Sequence, residues 1–133
     1  MNITTRYIVI CERATTTAGT NNLNLINIFT QLHPVSFPYT HPQFALAVNF
    51  DIAEAGSHLL HVHILGPNGD QMAQSDFPVT TNAGNWQVVA NYEHLLFAAP
   101  GTYTFSLKMD DVALGDRTLL VMPVSGRRKP GVA

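Results

Sequence analysis

The chain has 133 residues, 46% of them hydrophobic and 12% charged, about half the ~25% charge of an ordinary soluble domain. That length suits one domain with one core, and the apolar content excludes disorder as the default. Three of the seven basic residues, Arg127, Arg128 and Lys129, sit together at the C-terminus, leaving four (Arg6, Arg13, Lys108, Arg117) against nine acidic ones, a net −5 for the body. A nucleic-acid surface is not expected on such a body, because phosphate neutralisation needs clustered cations.

Met1 to Arg6 lacks the apolar core of a signal peptide, and no apolar run approaches the ~20 residues of a membrane span. Cys11, the one cysteine, allows no internal disulfide and fits a reducing compartment. A cytoplasmic location without membrane contact is the expectation.

Tyr7 to Cys11 reads as a buried first strand, and Thr15 to Asn22 as a polar, turn-rich loop. A strand is expected from Leu23 to Leu32. Its apolar residues change face near Ile26, which predicts a bulge or twist there. His33 to Pro42 carries three prolines spaced by four. Proline removes backbone donors, so an extended crossover is expected, with Phe37 and Tyr39 plugging a barrel end.

Phe44, Leu46, Val48, Phe50 and Ile52 alternate with small or polar residues, the period of a half-buried strand. Glu54 to Ser57 turns into the clearest hairpin: His58 to Leu65, the turn Gly66-Pro67-Asn68-Gly69, then Asp70 to Phe77. Leu60, Val62 and Ile64 share one face, and His61 and His63 the other. Pro78 to Asn85 reads as a loop, Trp86 to Tyr92 as a mixed strand, and Phe97 to Gly101 as a turn. From Thr102 to Met109 the alternation is unbroken, with Tyr103, Phe105, Leu107 and Met109 expected in the core. Asp110-Asp111 turns into a last strand, Val112 to Pro123. The expected architecture is an all-β antiparallel sandwich, Ig-like or jelly-roll-like, of about eight strands. It occupies residues 1–124, and 125–133 form a basic, disordered tail.

Candidate chemistry is sparse. His61 and His63 leave one face of a strand together, and imidazoles so spaced can grip a Zn, Cu or Fe ion. A third ligand is needed, and no spacing commits His33, His41, His58 or His94 to the pair. The more economical reading is two surface histidines. Asp110, Asp111 and Asp116, with Asp51 and Glu54, could supply oxygens to a hard cation, but about six to eight must converge. Cys11 lies in an apolar run and reads as a buried, inert thiol. No phosphate loop, nucleophile elbow or paired-cysteine zinc spacing occurs. Phe37, Tyr39, Trp86 and Tyr92 could stack on a sugar or base, though core packing is the commoner use of aromatics.

The early strand, Leu23 to Phe29, Phe37-Pro38 with His41-Pro42, the hairpin at His61 to Gly69 and Pro100 to Phe105 together carry a likeness. On them the chain resembles a family of small bacterial all-β proteins known only as a domain of unknown function. The likeness implies the fold and carries no catalytic residue. His61 and His63 stand where charged residues are usual in that family, and a glycine is missing at Asp110-Asp111.

The expected function is a non-enzymatic binding or assembly module acting through protein–protein contact or self-association, a homo-oligomer being plausible. No catalytic, cofactor or metal residue is assigned. The alternatives are a metal-binding protein using His61 and His63, and a small-ligand binder for a sugar or nucleotide at Tyr39, Trp86 or Tyr92. Low charge density favours association, because such surfaces repel their copies weakly.

Overall fold

A computed structural model describes residues 2–20 and 22–124. Nine strands occur among them: β1 (Ile3–Thr16), β2 (Leu23–Ile28), β3 (Gln31–Leu32), β4 (Tyr39–Ile52), β5 (Gly56–Leu65), β6 (Gln71–Thr81), β7 (Gly84–Phe97), β8 (Gly101–Met109) and β9 (Val112–Val121). They form a four-stranded sheet ordered β2-β1-β4-β7 and a five-stranded sheet ordered β3-β9-β8-β5-β6. Neighbours are antiparallel except β3 and β9, which run parallel. The all-β sandwich is therefore as expected, and no barrel is closed.

The alternating strands place the core. Phe44, Leu46, Val48, Phe50 and Ile52 of β4 face Leu60, Val62 and Ile64 of β5 and Tyr103, Phe105, Leu107 and Met109 of β8, all 3% exposed or less. Phe105 meets Phe44 edge-on with ring centres 5.8 Å apart. Along one side of the sandwich the sheets are stitched by side chains. Arg117 Nε donates to the Ile8 carbonyl (3.0 Å), and Thr5 Oγ1 to the Leu114 carbonyl (3.0 Å). The first bond occupies a backbone carbonyl of β1 ahead of the point where β2 begins to pair with it, and the second a backbone carbonyl of β9.

Several boundaries differ from expectation. The Leu23–Leu32 strand is split into β2 and β3, and the irregularity lies at Asn27, whose φ is +58°. β1 extends to Thr16, because pairing with Leu23 draws the start of the expected loop into the ladder. Pro42 stands inside β4. It is tolerated because β1 joins β4 only from Ala45 onward, and because β7 opposite makes a positive-φ step at His94 (φ +56°) that leaves Pro42 without a ladder partner. Pro78 lies inside β6 and not in a loop. β6 is an edge strand, so a missing donor costs no ladder bond on its open side. Phe37 and Tyr39 plug no barrel; they pack at the margin of the core, Tyr39 stacked on Phe97 at 6.4 Å. The basic tail expected at 125–133 lies outside the described residues.

Candidate binding cleft

β1 is shared between two partners. Its first part pairs with β4, and from Cys11 to Thr16 it pairs with β2. The β1–β2 hairpin is thus an arm, closed at its tip by a bond from Thr17 N to the Asn22 carbonyl (3.0 Å). Thr16, Asn22 and Leu23 at this tip share a cleft of about 1000 Å³ with Asn49, Asn85, Trp86, Gln87 and Val89. Asn49 lies on the outward parity of β4, and Gln87, Asn85 and Val89 on that of β7. The arm therefore overhangs the outer face of the four-stranded sheet. Ala45 and Ala47, also outward on β4, are 1% and 0% exposed. Small side chains there leave room for a cover.

The floor of the cleft is a fixed amide pair. Asn49 Nδ2 donates to Asn85 Oδ1 (3.1 Å), and Asn85 Nδ2 donates back to Asn49 Oδ1 (2.7 Å). Asn85 Nδ2 also donates to Asp51 Oδ1 (2.9 Å), so the carboxylate decides which way that amide points. Asp51 accepts in turn from Arg6 Nε (2.8 Å). The Asn85 amide, and then Arg6, hold the Asp51 carboxyl below its ordinary range. Asn49 is 6% exposed and is one of few buried polar residues. None of the eight lining side chains is acidic, basic, imidazole or thiol.

The predicted residues lie elsewhere. His61 Nδ1 pairs with Asp76 Oδ1 (2.7 Å), and His63 Nδ1 with Gln71 Oε1 (2.9 Å). His61 stands in a cross-strand row between Asp76 and Lys108. The two imidazoles are tied to neighbours on β6, on the outer face of the five-stranded sheet. Among the described residues no three His, Cys, Asp or Glu side chains are grouped to hold a metal ion. The acidic residues are likewise dispersed. Asp51 borders the cleft floor through its bond to Asn85, Glu54 accepts from the Asn2 backbone, and Asp116 pairs across to Ser106 on β8. Cys11 is fully buried and burial pushes its thiol up, the opposite of what a nucleophile needs. Of the aromatics, Tyr92 stacks on Phe44 (5.1 Å), and Trp86 lines the cleft while its Nε1 donates to the Asn82 carbonyl (2.8 Å).

Asp110 replaces the missing glycine in an unexpected way. It takes φ +52° in the β8–β9 turn, a conformation Asp tolerates better than most residues. Its carboxylate binds His58 Nδ1 (2.9 Å) and the Leu59 N–H (2.9 Å), and its own N–H donates to the Leu59 carbonyl (2.8 Å). His58 and the Leu59 amide hold this carboxyl low; His61 and then Gln74 do the same for Asp76. A carboxyl lowered in the folded state contributes stability that is complete above its unfolded value of about 3.9 and is lost as pH falls through the folded value. The urea midpoint is therefore expected to be flat from pH 7 to about 5 on account of these groups, and to fall below about pH 4. Asp110→Asn should reduce that acid slope; an unchanged slope would remove Asp110 from the account.

A family described as a family of unknown function (DUF6941) matches residues 6–122. The chain belongs to DUF6941. The resemblance read from turns and core positions is thereby borne out. The DUF6941 match runs from within β1 to just past β9, so it includes the arm and both strands of the cleft floor. No curated protein matches the chain. Among the described residues of this DUF6941 member, no helix is long and apolar enough to cross a membrane.

Sequence reading missed Asn49, Asn85 and the arm. One signal was present: Ala45 and Ala47 are poor choices for a solvated sheet face, and their smallness points to a cover. Nothing in the sequence names the hairpin that supplies it, because β1 changes partners halfway along its length.

Proposed function

We propose that this DUF6941 protein is a non-enzymatic binding module, and that the cleft beneath the β1–β2 arm is its binding site. The observation that carries this reading is the reciprocal Asn49–Asn85 amide pair, with Asn49 buried and Asn85 exposed, under a cleft of about 1000 Å³, at the upper end of small-molecule sites. Polar groups on a solvated sheet face need no such fixing. General acid–base or nucleophilic catalysis needs a group that titrates, if only to activate a hydroxyl, and among the described residues the lining offers amide side chains, the Thr16 hydroxyl and apolar neighbours with no base beside them. A cytoplasmic location accords with this reading, since the fold is held without a disulfide.

Trp86 is the single tryptophan and lines the cleft, so its emission reports on occupancy. A library of sugars, nucleotides, amino acids and short peptides, scored by emission and melting temperature together, is expected to yield a ligand that moves both. At a hundredfold excess over Kd the stabilisation should be about 2.7 kcal/mol. A library in which nothing moves either signal would sink the reading.

A second reading, self-association, is favoured by edge strand β2. Ile26 and Ile28 are 38% and 58% exposed there, and an apolar strand edge invites pairing with another chain. Light scattering is expected to find a dimer or larger species that Ile28→Lys returns to monomer. A wild-type monomer at high concentration would count against it.

A further inference from the structure

Resting on the cleft reading, we infer that the ligand is a neutral, polyhydroxylated one: a short stretch of saccharide laid across the Asn49–Asn85 pair beneath the arm. Three features of the site lead there.

The first is charge. Asp51, the acid that borders the floor, is already bonded to Asn85 and Arg6. Among the described residues, no basic side chain lines the cleft. Among these lining residues a phosphate or carboxylate would find no cation, and an ammonium no free anion, so a charged ligand would lose hydration without return.

The second is the hydrogen-bonding pattern. Asn85 Nδ2 spends both hydrogens, on Asn49 Oδ1 and Asp51 Oδ1, with the Phe50 carbonyl as a longer third contact (3.3 Å). Asn49 Nδ2 spends one, on Asn85. One donor therefore remains on Asn49, beside carbonyl oxygens of both amides that keep a second lone pair. A hydroxyl both donates and accepts, and neighbouring hydroxyls on a sugar ring match adjacent donor and acceptor sites. Leu23 and Val89 offer apolar surface to the C–H faces of the same rings, while Trp86, on the inward parity of β7 and packed against the core, borders the cleft.

The third feature separates a saccharide from a peptide. Extended peptides dock on sheets by adding a strand to an unpaired edge. β4, which carries Asn49, is bonded on both sides in this region, to β1 and to β7. Its backbone is spent, so at the buried Asn49 only the side chain is offered; β7, which carries Asn85, is the edge of this sheet, and a peptide added along that edge is the outcome that the parallel probes below distinguish.

The test uses the full chain and short neutral oligosaccharides as probes, with charged sugars, nucleotides and extended peptides in parallel. Readouts are Trp86 emission and the side-chain amide signals of Asn49 and Asn85 in ¹⁵N NMR spectra. Neutral oligosaccharides are expected to move all three saturably. Asn49→Leu should weaken binding by about tenfold or more, and Leu23→Asp, on the half-exposed arm, should weaken it while leaving the core untouched. If only charged ligands or peptides move these signals, the saccharide inference falls and the cleft reading stands. If oligosaccharides bind equally well to both variants, they bind elsewhere and the inference again falls. If no probe of any class moves the signals, both fall together.

Discussion

Phe105→Ala is expected to lower the stability of the protein by about 4 kcal/mol. Phe105 is fully buried in β8, packed edge-on against Phe44 across the sandwich. Truncation removes the transfer free energy of a ring and leaves a void between two sheets. Each sheet is held by its own ladder, so the void collapses only in part. The loss is a large share of the roughly 5–15 kcal/mol that holds a domain folded. A melting temperature lower by roughly 12–20 °C should follow for a chain of this size. Phe105→Leu keeps most of the volume and should cost less than half as much. Equal losses in the two variants would show that the site does not depend on filling this space.

Gly101→Ala is the second large effect, and its cause is different. Gly101 opens β8 with φ +149°, a region that side chains rarely enter. A Cβ there would come within 2.6 Å of Pro67 Cβ and Cγ. Pro67 belongs to the β5–β6 turn, which is fixed by bonds from Gly69 N to the Gly66 carbonyl (2.9 Å) and from Gly66 N to the Asp70 carbonyl (2.8 Å). A proline ring in a bonded turn has little freedom to give way. Backbone strain and overlap together should cost about 2–4 kcal/mol. Gly69→Ala is the internal comparison. Gly69 also has positive φ, +84°, but nothing lies within 4 Å of its added Cβ. It should cost only the strain, about 1 kcal/mol. Urea unfolding of both variants separates the two contributions, and similar midpoints would refute the proposed contact.

These two sites differ in how far they could be read in advance. Phe105 is the second of four apolar residues at perfect alternation, and that pattern alone places it in the core. Gly101 follows Pro100 and reads as an ordinary turn residue. Its constraint comes from Pro67, thirty-four positions earlier in the chain, brought there because β5 pairs with β8. The same division runs through the hairpin at Gly66 to Gly69. The turn and the inward set Leu60, Val62 and Ile64 were legible, since both are local. The partners of His58, His61 and His63 were not, since Asp110, Asp76 and Gln71 reach them only through strand pairing.

Proline gives the clearest case of a local rule overruled. Pro42 and Pro78 argued against strands, and both lie in strands. The rule concerns donors needed by a ladder, and neither residue is asked to supply one: β6 is an edge, and Pro42 stands where β4 lacks β1 and meets the His94 step. The candidate site was hidden for a related reason. Asn49 in sequence is one polar residue at an outward position. Its burial depends on Asn85, thirty-six positions later, and on an arm formed by a strand that leaves one partner for another.

The amino-acid order by itself determined the class of fold and which face of β4, β5 and β8 is dry, because a period of two is a property of the extended backbone and needs no partner to be read. Only the tertiary structure decided the order of the strands, the overhang of the β1–β2 arm and the amide pair beneath it, because each of these is a contact between segments far apart in the chain, and the energy of such a contact belongs to neither segment alone.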